Sequence, residues 1–131
     1  MRAIDSSSLV KFFSKEEGWE KVAQIIKEGV ITLDLSIKEV ANALWKKIVI
    51  GEMNDDLAIK ILYDLLKSEA IIIVNQDDYL VEAFKIANRN KITIYDSLFI
   101  ALAKSKNLEL VTSDKKQYEI AKNEGVNALL V

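Results

Sequence analysis

Asp5, Glu39, Asp96 and Asp114 are the residues of this chain whose type and spacing point most directly to chemistry. Asp5 and Asp114 stand where a strand is expected to give way to a helix, and Glu39 and Asp96 stand at the starts of helices. Asp5 follows the short apolar run Arg2-Ala3-Ile4, and Asp114 follows Leu108-Glu109-Leu110-Val111 just before a helical stretch. Glu39 falls in the first turn of the helix after the second strand, and Asp96 opens a strongly apolar helix. In an open parallel sheet, sites form beyond the carboxyl ends of the strands. Asp5 and Asp114 are therefore expected to share one edge, and Glu39 and Asp96 are expected as neighbours because they also start helices. Carboxylates gathered there repel one another and resist ionisation unless a cation offsets them. A bound divalent metal would supply that cation.

The residues that are missing narrow the choice of ion. The chain contains no cysteine and no histidine. Disulfides, zinc held by thiolate or imidazole, and a histidine general base are excluded. The remaining ligands are oxygens, which suit magnesium or manganese. The formal net charge of -2 gives no overall basic field for nucleic acid, so a polynucleotide would need local lysines or bound metal to offset its phosphates. No apolar run approaches the 18 or so residues of a membrane span. The first residues, Met1-Arg2-Ala3-Ile4-Asp5, have no signal-like hydrophobic segment. A cytoplasmic protein with no membrane association is the expectation.

Each acid also reads as a helix cap. Ser36-Ile-Lys-Glu39 matches a capping box, Thr93-Ile-Tyr-Asp96 can be read the same way, Asp114 with Gln117 forms an N-cap pair, and Asp5 can cap the helix from Ser6. Capping alone does not require all four to face one edge. Polar neighbours fit a site there: Ser7 two positions after Asp5, Thr112 and Ser113 before Asp114, and Asn42 on the same helical face as Glu39. Lys46 extends that face by a turn, and Lys115 and Lys116 adjoin Asp114. These three lysines, with Lys11 and Lys15, are candidates for gripping a phosphate backbone, and all equally fit ordinary solvent-facing positions. Trp19, Trp45 and Tyr95 could stack bases, although both tryptophans lie on apolar stripes that suit packing.

The elements that must position these residues follow from periodicity. Length and the absence of any linker predict a single domain over residues 1–131. Strands are expected at 2–4, 30–33, 70–74, 108–111 and 127–131. Helices are expected at 6–13, 17–27, 37–49, 55–67, 78–90, 95–106 and 115–123. The 37–49 helix presents Ile37, Val40, Ala41, Leu44, Trp45, Ile48 and Val49 inward. The 55–67 helix does so with Leu57, Ala58, Ile61, Leu62 and Leu65, and the 78–90 helix with Leu80, Ala83, Phe84 and Ala87. The run Ala70-Ile-Ile-Ile-Val74 reads as a strand covered on both faces. Strands alternating with helices predict an α/β fold with a parallel sheet between helical layers. No Gly-rich dinucleotide or P-loop motif is present.

The segments Ile4-Asp5-Ser6-Ser7, Glu39-Val40-Ala41-Asn42-Ala43-Leu44, Tyr95-Asp96-Ser97-Leu98-Phe99-Ile100-Ala101-Leu102-Ala103 and Val111-Thr112-Ser113-Asp114 resemble PIN-domain proteins, most closely the small VapC-type toxins of toxin–antitoxin pairs. By position, Asp5, Glu39, Asp96 and Asp114 match that family's acidic metal-site residues, while Ser7 and Thr112 match its hydroxyl residues. The resemblance implies a PIN-like three-layer α/β/α fold with a central parallel sheet. It also implies magnesium- or manganese-dependent endoribonuclease activity on an RNA substrate, homodimerisation and a small antitoxin partner. Some members carry a further acid soon after the last aspartate; here Lys115, Lys116 and Gln117 follow, and only Glu119 is available. Competing readings are a PIN-like interaction module without catalysis, and a metal-dependent DNA nuclease or phosphatase. A receiver-like domain would need a second acid beside Asp5, which the chain lacks.

Overall fold

The strands Arg2–Ile4 (β1), Val30–Leu33 (β2) and Leu110–Thr112 (β4) are almost wholly buried, so each needs apolar cover on both faces. The computed structural model describes residues 1–131 and supplies that cover with helical layers on either side of one sheet. Along the chain, β1 is followed by α1 (Ser6–Phe13), α2 (Trp19–Lys27), β2, α3 (Leu35–Val49), α4 (Asp55–Lys67) and β3 (Ile71–Val74). A 3-10 turn over Gln76–Tyr79 then leads to α5 (Leu80–Asn90), α6 (Ile94–Lys106), β4, α7 (Lys115–Asn123) and β5 (Ala128–Leu130).

All strand pairings are parallel, and the order in the sheet is β3-β2-β1-β4-β5. The chain starts in the middle, builds outward through β2 to β3, then returns to lay β4 and β5 on the other flank. The reversal falls between β1 and β4, and it is there that an open α/β sheet leaves a crevice beyond its carboxyl ends. Successive side chains of a strand point to opposite faces. Ala3, Ile31, Leu33 and Leu110 accordingly join one core with α5, α6 and α7. Ile4, Val30, Ile71 and Val111 join the other with α1 to α4.

Helix α6 is central, as its apolar circumference predicts: Ser97 to Ala103 are all buried. Thr93 caps its start by accepting the Asp96 N–H at 3.2 Å. Beside it, Glu124 gathers the ends of three helices. Its carboxylate accepts Arg89 Nη2 at 2.7 Å and Nε at 3.2 Å, Asn90 Nδ2 at 2.8 Å and Lys104 Nζ at 3.3 Å. The Arg89 bonds, more than burial opposes them, hold this carboxyl down to about 2.

Element order follows the sequence expectation throughout, but several faces differ. β3 is an edge strand, so Ile72 is 44% exposed rather than covered on both sides. Helix α5 buries Ala83, Ile86 and Ala87; Leu80 and Phe84, expected inward, are 46% and 64% exposed. The small alanines bring the helix close to α6, and the bulky residues are left on its flank. Trp45 and Val49 on α3 and Leu57 on α4 are likewise exposed, because these helices face the sheet over only part of the apolar arc. The Ser36–Glu39 capping box does not form. Helix α3 starts two residues earlier, at Leu35, and the Ser36 hydroxyl instead bonds the Leu33 carbonyl at 2.7 Å.

Candidate metal centre and active site

Asp5 leaves β1 directly into α1. Its Oδ1 accepts the Ser8 N–H at 3.1 Å and so caps the helix. The backbone N–H of Asp5 bonds the Val111 carbonyl at 3.1 Å, continuing the β1–β4 ladder to the edge of the sheet. At that point two hydroxyls lock the strand ends together. Ser7 Oγ donates to Asp5 Oδ1 at 2.7 Å and accepts the Ser113 N–H at 2.9 Å. Thr112 Oγ1 donates to Asp5 Oδ2 and accepts the Asp114 N–H at 3.0 Å. Both hydroxyl protons are thus committed to Asp5, and both oxygen lone pairs to the turn after β4. Ser8 and Ser113 add a hydroxyl contact at 3.1 Å.

Asp5 is 4% exposed. Burial raises its pKa to about 6, against the lowering effect of the Thr112, Ser7 and Ser8 bonds; the charge of Asp114 adds a smaller upward push. Asp114 itself is exposed and caps α7, accepting the Lys116 and Gln117 N–H groups at 2.9 and 3.2 Å.

Glu39 and Asp96 form the second pair. Glu39 is half-buried, and its Oε1 accepts Ser6 Oγ at 2.7 Å. Burial raises its pKa, the Ser6 bond lowers it, and the Asp96 charge raises it further. Ser6 immediately follows Asp5, so this bond ties the start of α3 to the end of β1. Glu39 is therefore free of any capping duty, while Asp5 and Asp114 both cap helices.

The structure brings together Asp5, Ser7, Thr112 and Asp114 around the β1–β4 junction, and sets Glu39 against Asp96 beside Ser6. It does not close the four acids around one point: no group of three or more acidic side chains is arranged to hold a metal ion. The donors are carboxylate and hydroxyl oxygens only, a set whose chemistry fits magnesium or manganese. The upward push of the Asp114 charge on Asp5, and of the Asp96 charge on Glu39, is the electrostatic condition a cation relieves. Asn42 and Lys46 line a groove of about 360 Å3 with Glu39 and Tyr95. Lys115 and Lys116 are exposed in the first turn of α7.

Sequence reasoning passed over Ser6 and Ser8, which the run Ser6-Ser7-Ser8 after a strand-ending acid could have signalled. It also passed over Lys38, which lines the same groove as Lys46. Gln117, read from the sequence only as the N-cap partner of Asp114, is buried with its Oε1 unpartnered.

This sheet order and these strand-end acids make a three-layer α/β/α architecture of PIN-like type. The chain belongs to the PIN-domain family, whose model matches residues 3–123. Two curated proteins of Pyrobaculum aerophilum are similar to it. Ribonuclease VapC3 is 30% identical over 119 residues, covering 88% of this chain and 91% of that protein. Exonuclease VapC9 is 31% identical over 131 residues, covering 98% and 92%. Among solved structures, that of PAE2754 from the same organism aligns with a TM-score of 0.75 and 26% identity over 97% of this chain and 89% of its own. A chain of a toxin–antitoxin complex from Klebsiella pneumoniae shares the fold, with a TM-score of 0.61 and 17% identity over 90% of each chain.

Proposed function

We propose that this chain is a magnesium- or manganese-dependent endoribonuclease, the toxin component of a type II toxin–antitoxin pair. The observation that carries the reading is the fixing of a buried, ionisable Asp5 at the sheet's topological switch point, with Asp114 close enough to raise its proton affinity and the Glu39–Asp96 pair tied to the residue after it through Ser6. The names of VapC3 and VapC9 support nuclease chemistry; one is a ribonuclease and the other an exonuclease, so the pattern of products decides between internal and terminal cleavage.

Asp5, Asp96 and Asp114 would hold the metal, with Glu39 either joining them or orienting a water. A bound ion supplies a nucleophilic water at neutral pH and offsets charge on the leaving oxygen. Ser7 and Thr112 keep the Asp5 carboxylate in one orientation, and Ser6 does the same for Glu39. Lys46, Lys115 and Lys116 would screen the phosphates of the substrate. A non-catalytic module would leave the acids as caps, and Glu39 argues against that because it caps nothing. Homodimerisation and an antitoxin are part of the same proposal. The antitoxin would seat an apolar segment in the groove of about 500 Å3 between the α1–α2 corner and α4, lined by Phe12, Phe13, Trp19, Leu57 and Ile61.

The test is a manganese titration followed by an RNA cleavage assay, each run on the native chain and on Asp96→Asn. Asp96 is exposed, so its substitution leaves the core intact. Native protein is expected to bind manganese and to release internal fragments from end-labelled RNA. EDTA should abolish cleavage, and Asp96→Asn should lower it by about 100-fold or more. Equal manganese affinity in the two proteins would sink the metal reading. A ladder of mononucleotides would replace internal cleavage by an exonuclease reading.

A further inference from the structure

The groove beside Glu39 runs along α3 and is built unlike the rest of the acidic edge. Lys38, Asn42 and Lys46 stand at four-residue intervals, so they line one face of the helix over about 12 Å. Tyr95, next to Asp96, forms the opposite wall and is 61% exposed. Leu35 and Ala43 give the groove an apolar lining between the polar residues. Neither Lys38 nor Lys46 enters an ion pair or hydrogen bond. Their neighbour Lys47, by contrast, is held by Glu16 at 3.0 Å and Glu52 at 3.8 Å. In a chain with a net charge of -2, two free cations and an open phenol ring beside the site's own carboxylate make a combination suited to one kind of ligand. Lysines at intervals suit a phosphate backbone, and an exposed ring suits the face of an unpaired base.

We propose that this groove is a nucleotide subsite for single-stranded polynucleotide: one unpaired base stacks on Tyr95, the adjoining phosphates lie along Lys38 and Lys46, and Asn42 hydrogen-bonds the nucleotide between them. It rests on the nucleic-acid reading above and deepens it, because a base held in the groove must be out of a duplex when the neighbouring phosphate reaches Glu39. The subsite thereby selects loops and single strands over paired helices.

The experiment measures fluorescence anisotropy of a labelled single-stranded RNA oligonucleotide in EDTA, so that binding is read without cleavage. The native chain is compared with Tyr95→Ala, Tyr95→Phe and the double substitution Lys38→Ala with Lys46→Ala; single-stranded DNA and duplex RNA serve as further probes. Tyr95→Ala is expected to weaken single-strand binding by about 5- to 150-fold while Tyr95→Phe retains it, since the ring and not the hydroxyl stacks. The double lysine substitution is expected to lower the slope of log affinity against log salt by about 1.4. Duplex RNA is expected to be insensitive to Tyr95→Ala, and weaker binding of DNA than of RNA identifies contact with the 2′-hydroxyl. The subsite is overturned if the native chain binds no single strand, if Tyr95→Ala binds like native, or if Tyr95→Ala changes the oligomeric state and leaves RNA affinity unchanged. Binding that responds as expected with no metal-dependent cleavage overturns the hydrolytic reading alone. Cleavage with a KM untouched by Tyr95→Ala overturns the subsite alone.

Discussion

Asp5 is pulled in opposite directions by its surroundings. Three hydrogen bonds favour its ionised form, and burial disfavours it more strongly, leaving the pKa at about 6 against 3.8 for a free side chain. In the folded state the group therefore takes up its proton at a higher pH than in the unfolded chain. Between about pH 4 and 6 the folded state binds more protons, so its stability falls as pH rises through that window. The shift corresponds to about 3 kcal/mol for Asp5 alone. Denaturant unfolding in EDTA is expected to show this loss from pH 4 to 7, and Asp5→Asn should flatten it. Added manganese should restore stability at pH 7 in the native chain only, by linkage to binding. Thr112→Val, similar in shape, removes the hydroxyl from Asp5 and strands the Asp114 N–H. It is expected to raise the Asp5 pKa further and to cost about 1–3 kcal/mol at pH 7. A flat stability profile in the native chain would contradict the account of Asp5.

At the scale of elements, Glu124 is the place where α5, α6 and the end of α7 are tied. Its carboxyl is held down to about 2, so the tie is intact above about pH 4.5 and is lost as pH falls toward 2. Glu124→Gln is expected to cost about 1–2 kcal/mol at pH 7, measured by chemical denaturation, and the difference from native should vanish near pH 2. The helices themselves were readable from residue patterns: α4 and α7 begin and end where the periodicity does, since Asn54 and Asp114 are strong caps. What periodicity could not show is which arc of each helix meets the sheet. The apolar arc of α5 is wider than its contact, and alanine rather than phenylalanine occupies the close approach. The run Ile71–Val74 carries no mark of being an edge, because edge position depends on strand order and not on local composition. The acids at strand ends were legible for a similar reason in reverse: a residue straight after a buried parallel strand has only one edge to occupy. Their grouping as two pairs, with Ser6 and Thr112 as the links, depends on side-chain direction and was not.

At the scale of the molecule, large apolar side chains are left exposed on α3, α4 and α5. Val81 and Phe84 on α5 are 71% and 64% exposed, with Leu80 beside them. Contiguous apolar surface of this kind marks an interaction site. It is the surface on which the proposed homodimer would close. Sedimentation velocity is expected to give a dimer for the native chain and a monomer for Val81→Lys combined with Phe84→Lys, with unchanged far-ultraviolet circular dichroism. A dimer that survives the double substitution would move the interface elsewhere, for instance to Trp45 and Val49 on α3 and Ile50 just after it. No helix of the chain is long and apolar enough to cross a membrane.

The bond between Thr112 and Asp5 spans 107 positions of the chain. Its formation must await the closure of a loop comprising most of the molecule, a step with a large entropic cost that follows the local helices in time. During synthesis from the amino terminus, β1 waits with one flank open until β4 has left the ribosome. Until then the Asp5 carboxyl has neither its Thr112 donor nor the strand that buries it. The surroundings of Asp5 are thus incomplete in every nascent form that lacks β4, and the insertion of a single three-residue strand completes them.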